Sequence, residues 1–152
     1  MAVYATALND FLDPREGFVM IKQEITLRVP GKQEFALVLR LALGGVAILK
    51  DLDAGALDDL RAASDEAVDC LLHQGREVSW LTLLVQDEGD KLTVRICAEF
   101  TGEGESTMDE DKMAVSRTVL ETLIPEVEMC ARDCGCIEAI SLTLKKAVAM
   151  GA

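Results

Sequence analysis

The stretch VSWLTLLVQDEGDKLTVRICAEF, residues 78–100, decides the architecture of this chain. Residues 91–100 alternate strictly: Leu92, Val94, Ile96, Ala98 and Phe100 against Lys91, Thr93, Arg95, Cys97 and Glu99. That period of two belongs to a strand with one buried face. Residues 78–86 form its partner, and Asp87-Glu88-Gly89-Asp90 between them reads as a hairpin turn.

Outward from this hairpin the pattern repeats. TGEGESTMDEDKM, residues 101–113, is glycine-rich and then acidic, a surface loop with the character of a solvated linker. A helix is expected over about 110–124, stopped by Pro125, followed by a second hairpin, 126–132 and 136–147, around Asp133-Cys134-Gly135-Cys136. On the other side, residues 54–74 carry a helical stripe of Leu57, Leu60, Ser64, Ala67, Val68, Leu71 and Leu72. Asp59, Ala63, Glu66, Cys70 and His73 are expected on the opposite, outward side. Before it, residues 33–49 form a helix with a single charged side chain, Arg40, between Glu34 and Lys50. A circumference this apolar is either sandwiched in the core or exposes a protein–protein interface. Its Gly44-Gly45 pair marks a bend or a close approach to a neighbour. A strand over residues 19–29, with Ile21, Ile25, Leu27 and Val29 on one side, ends at Pro30-Gly31. Residues 1–18, rich in turn formers, read as an N-terminal extension to a domain spanning 19–152.

The expected fold is therefore a two-layer α/β sandwich with a mixed, mostly antiparallel sheet and helices on one face. Composition fits one such domain: 152 residues, 50% hydrophobic and 28% charged. Fifteen basic against 27 acidic residues give a net charge of −12, which repels phosphate backbones and argues against direct nucleic-acid binding. The 4% aromatic content leaves no base-stacking platform. No apolar run reaches membrane-spanning length, and the N-terminus lacks a basic stretch leading into an apolar one. Five cysteines without an export signal read as reduced thiols in the cytoplasm.

Ser64-Asp65-Glu66-Ala67-Val68-Asp69-Cys70-Leu71-Leu72-His73 resembles the N-box of the anti-sigma factor serine/threonine kinases, regulators with the histidine-kinase-like ATPase fold. The order of strands and helices over residues 19–147 agrees with that family. The resemblance implies a bacterial cytoplasmic homodimer that binds a sigma factor or an anti-sigma antagonist protein. It also implies ATP and Mg²⁺ as cofactors if the ancestral site still works, and the alternative of an active kinase that phosphorylates the antagonist.

Carried over residue by residue, the N-box glutamate, which acts on the attacking hydroxyl, is Glu66, the catalytic candidate. The asparagine that ligates Mg²⁺ falls on Cys70, a soft thiol where the hard cation takes oxygen. The family's histidine falls on Gln74, one position after His73. In the second nucleotide box the glycines are Gly102 and Gly104, while the adenine-binding aspartate becomes Phe100. The glycine-rich junction that approaches phosphate aligns near Ser116-Arg117-Thr118, without glycine. Cys70, Phe100, Gly102, Gly104 and Ser116 are thus positions of a degenerate nucleotide site, and the acidic lid adds repulsion. The implied function is protein binding with nucleotide binding and kinase activity impaired or lost.

In that family the region of the apolar helix contributes to partner contacts through an arginine. Here that position is Leu37, with Arg40 one turn on. Two readings of the cysteines remain: a thiol sensor acting through Cys70 or the 130–136 hairpin, and zinc held by Cys130, Cys134 and Cys136 with His73. Zinc wants four ligands at recognised spacings, and His73 lies far off in the chain.

Overall fold

A computed structural model describes residues 23–102, 104 and 107–146. The expected N-terminal extension, the start of the first strand, Glu103 and Glu105 of the acidic loop, and the end of the last strand lie outside the described residues.

The chain runs β1 (Gln23–Pro30), a 3-10 turn (Gln33–Phe35), α1 (Ala36–Leu49), α2 (Ala54–Leu72), β2 (Val78–Asp87), β3 (Lys91–Phe100), α3 (Glu110–Leu123), β4 (Glu126–Ala131) and β5 (Ile137–Lys145). The strands form one sheet in the order β1-β2-β3-β5-β4, and every pairing is antiparallel. The mixed sheet expected from the sequence is therefore corrected: each described neighbour is reached by a hairpin or by a return across the helices. The layers are as expected, with α1, α2 and α3 covering one face.

Alternation in the strands sets which face is covered. In register, Leu27 meets Leu83, Leu83 meets Ile96, and Ile96 meets Ile140, all on the helical side. Leu83, Ile96 and Ile140 are fully buried, together with Leu39 and Leu43 of α1 and Leu60 and Leu71 of α2. Burying each such side chain stabilises the fold by about 1.5–3 kcal/mol. The opposite face is polar: Arg28 stacks 4.2 Å from the Trp80 ring centre and pairs with Glu99 at 2.6 Å.

The α1 helix resolves the two readings of its apolar circumference. It is not sandwiched. Leu39, Leu43, Val46 and Ala47 face inward, whereas Leu37, Leu41, Ile48 and Leu49 are 56%, 67%, 69% and 76% exposed. Arg40 turns sideways to Asp65 of α2, with hydrogen bonds of 3.1 and 2.5 Å. Gly44 marks a close approach: a Cβ there would sit 3.2 Å from the Arg61 guanidinium of α2. Gly45, its neighbour, faces open space.

α2 is more deeply buried than its stripe implied. Ala63 and Cys70, expected on the outward side, are 0% and 2% exposed. The helix packs against α1 on one side, α3 on the other and the sheet beneath, so the buried arc extends well past one stripe. Its N-terminus is capped by Asp53, whose carboxylate accepts the Ala56 N–H at 2.7 Å.

Two polar devices tie the elements together. Asp87, at the end of β2, pairs with Lys50 at the end of α1 at 2.9 Å and with Lys146 beyond β5, all three side chains mostly buried. Burial alone would raise the Asp87 pKa, but the hydrogen bonds from Lys146, Lys50 and the Gly89 N–H outweigh it and hold the carboxyl well below the usual range. The second device is Gln74, fully buried just past α2. Its amide nitrogen donates to the Ile137 carbonyl at 2.7 Å, and its oxygen accepts the Ile137 N–H at 2.6 Å.

Candidate functional site

Two clefts collect the residues singled out in the sequence. The larger, of about 550 Å³, lies between α2 and α3. Cys70, Met108 and Val115 give it an apolar lining, and Ser116 borders it from α3. Asp69, Asp111 and Lys112 supply charge at its walls, and His73 an imidazole. This volume falls in the range of small-molecule sites, about 300–1,000 Å³. The i, i+4 spacing that points Glu66 and Cys70 to the same side of a helix also sets Asp69 and His73 together. His73 Nδ1 donates to the Asp69 carbonyl at 2.8 Å and lies 3.1 Å from its carboxylate.

Cys70 dictates what this cleft can do. Burial, with the nearby negative charges of Glu66 and Asp69, pushes its thiol up to about 11, against the opposing hydrogen bond with Ser116. At physiological pH it is therefore held as the neutral thiol, a weaker nucleophile than the thiolate. Glu66 is half-buried one turn earlier and lines neither cleft. Ser116 shares the larger cleft with Cys70 and hydrogen-bonds to its sulfur.

The smaller cleft, of about 300 Å³, is lined by Arg76, Gly102, Gly104, Arg132, Asp133 and Cys134. Phe100 lies beneath it, its ring centre 4.8 Å from the Arg76 guanidinium. Arg76 also donates to the Gly102 carbonyl. So the sequence candidates divide: Cys70 and Ser116 share one cleft, Gly102 and Gly104 the other, with Phe100 closed off by Arg76. Arg76, which organises the second cleft, had no motif to announce it. Its position one residue after the helix-ending glycine was the only signal.

The residues present do not fit Mg-ATP. The position that the resemblance assigns to the metal ligand, Cys70, holds a protonated sulfur in place of an oxygen. The N-terminus of α3 is filled by this chain's own carboxylates. Asp109 caps it by accepting the Asp111 N–H at 3.0 Å, and Glu110 and Asp111 occupy its first turn. Those charges satisfy the helix dipole and repel an anion. Ser116 sits in the interior of α3, where backbone amides are engaged in the helix. Among the described residues, no buried side-chain nitrogen or oxygen lacks a hydrogen-bond partner.

The cysteines do not converge on a metal. Cys130 lies on the open face of the sheet near Arg95 and Glu128, at 4.0 and 3.7 Å, whereas Cys134 and Cys136 face Arg76. Among the described residues, no group of three or more His, Cys, Asp or Glu side chains is placed to hold a metal ion. Among the same residues no helix is long and apolar enough to cross a membrane. No family model matches the chain, and no curated protein matches it.

Proposed function

We propose that this chain is an anti-sigma-factor-like regulator of the bacterial cytoplasm. It acts by binding a sigma factor or an anti-sigma antagonist, as a homodimer, with nucleotide binding and kinase activity lost. The observation that carries this reading is Cys70. A buried, neutral thiol stands at the position where the resemblance implies an oxygen ligand, and the strands and helices occur in the order read from the sequence.

The exposed face of α1 supports a role in protein contact. Leu37, Leu41, Ile48 and Leu49 form an apolar ridge about 18 Å long, by the rise of a helix. Contiguous exposed apolar surface of this kind is characteristic of interaction sites. Its only charged neighbour on the helix, Arg40, is engaged with Asp65. With a net charge of −12, two copies approach most easily across such an uncharged surface.

The test is capture of purified sigma factors and antagonists from the host by the immobilised chain, with and without Mg-ATP. The expected result is capture of one such protein, unchanged by nucleotide and lost in Leu41→Glu. Transfer of phosphate to a captured antagonist would establish the kinase instead, and failure to bind any of them would remove the reading.

A further inference from the structure

Cys134-Gly135-Cys136 occupies the tight turn between β4 and β5. The Arg132 N–H donates to the Cys136 carbonyl at 2.8 Å and the Gly135 N–H to the Arg132 carbonyl at 2.9 Å. Gly135 takes φ +85°, which suits the left-handed position of a three-residue hairpin loop. This turn brings two thiols to one guanidinium: Arg76 Nη1 lies 3.9 Å from the Cys134 sulfur and 3.8 Å from the Cys136 sulfur. The two sulfurs thus share one cationic neighbour. They differ in access. Cys134 lines the smaller cleft, whereas Cys136 is fully buried. Arg76 is held in place by the Gly102 carbonyl and the Phe100 ring.

We propose that Cys134 and Cys136 form a dithiol–disulfide couple, in which Cys134 reacts with low-molecular-weight disulfides entering the cleft and Cys136 resolves the product. An accessible thiol beside a cation is the setting that makes a cysteine reactive. The hydrogen bonds from Cys136 and the Arg76 charge lower the Cys134 pKa, while burial raises that of Cys136. Arg132 lines the same cleft and adds positive charge, and Asp133 opposes it.

The chemistry balances as thiol–disulfide exchange. The Cys134 thiolate attacks one sulfur of the small disulfide, forming a mixed disulfide and expelling one thiolate, which takes a proton from water. Cys136 then loses its proton to solvent and attacks the Cys134 sulfur. The mixed disulfide breaks, the second small thiol leaves, and the protein disulfide closes. Two protein thiols are oxidised by two electrons as one small disulfide is reduced. The oxidised pair can no longer present a thiolate to Arg76.

The experiment uses the reduced full chain with glutathione disulfide as the probe, followed by intact-mass measurement and peptide mapping. The expected product is a mass loss of two hydrogens, mapped to a Cys134–Cys136 bond. In Cys136→Ser the reaction stops at a glutathione adduct on Cys134, and in Cys134→Ser neither product forms. Brief iodoacetamide labelling of the unaltered chain provides a readout independent of any variant's folding. It is expected to modify Cys134 about tenfold faster than Cys97 or Cys130, an advantage reduced several-fold in Arg76→Gln. Labelling of Cys134 no faster than the other exposed thiols, or a glutathione adduct that never closes in the unaltered chain, would overturn the proposal.

Discussion

The buried side chain of Gln74 pairs with the main chain of Ile137 in both directions, donating at 2.7 Å and accepting at 2.6 Å, as a neighbouring strand would. This amide fastens the end of α2 to the start of β5, and its nitrogen makes a further bond to the Leu71 carbonyl at 3.3 Å. The Gln74 carbonyl in turn accepts the Thr107 N–H at 2.9 Å, anchoring the segment that leads to α3. One residue thus sets the distance between the helix carrying the larger cleft and the strand bordering the smaller.

Removing it is expected to be costly. Gln74→Ala leaves the Ile137 N–H and C=O without partners in a buried place, a loss of about 2–4 kcal/mol. Chemical denaturation reads this directly. Gln74→Glu should also destabilise, since a carboxylate has no N–H to give the Ile137 carbonyl.

Asp87 makes the fold sensitive to acid. Its pKa is depressed in the folded state relative to about 3.9 in the unfolded chain. The stabilisation from Lys50 and Lys146 is therefore complete above about pH 5 and shrinks as the pH falls through 4 and below. Asp87→Asn should cost about 1.5–3 kcal/mol at pH 7, typical of hydrogen bonds to charged groups. Its stability should decline less steeply than that of the parent below pH 4. Urea midpoints measured across pH 3–7 test both expectations.

Cys70 makes a contrasting prediction in alkali. Its folded pKa, pushed up to about 11, lies above the roughly 8.5 of an unfolded thiol. The linked stability is fully present below the unfolded value and is lost as pH rises through 9 to 11. Cys70→Ala should cost about 1 kcal/mol at pH 7, and the gap to the parent should close by pH 10. Thermal unfolding at the two pH values provides the comparison.

The ridge on α1 predicts a change of assembly without a change of fold. Leu41→Glu and Ile48→Glu replace exposed side chains, so monomer stability should stay within about 0.5 kcal/mol. Light scattering should report a dimer for the parent chain and a monomer for either variant.

The sequence revealed the sheet more fully than the helices, for a physical reason. Strict alternation over residues 91–100 and the turn at 87–90 fixed β2, β3 and their facing sides, because a period of two admits one buried face. The 3.6-residue period places the helix of residues 54–74 to within two residues, yet puts Ala63 and Cys70 outward where the fold buries them. A stripe describes one contact, and this helix has three. The linear motif did place Cys70 and Ser116 on elements that meet at one cleft. It could not show that Gly102 and Gly104 border another, since Arg76 and its pairing with Phe100 carry no sequence pattern. Gln74 stands out in the sequence only as a departure from the histidine of the resembled family, and its hold on Ile137 spans 63 positions of chain and exists only in the fold.

Titration of the chain with millimolar Mg-ATP, by calorimetry and melting temperature, bears most directly on the proposed loss of nucleotide binding. A ligand that binds only the native state raises the melting point. No saturable heat and an unmoved melting temperature are expected. Saturable heat that requires Mg²⁺, with a rise of several degrees, would contradict it.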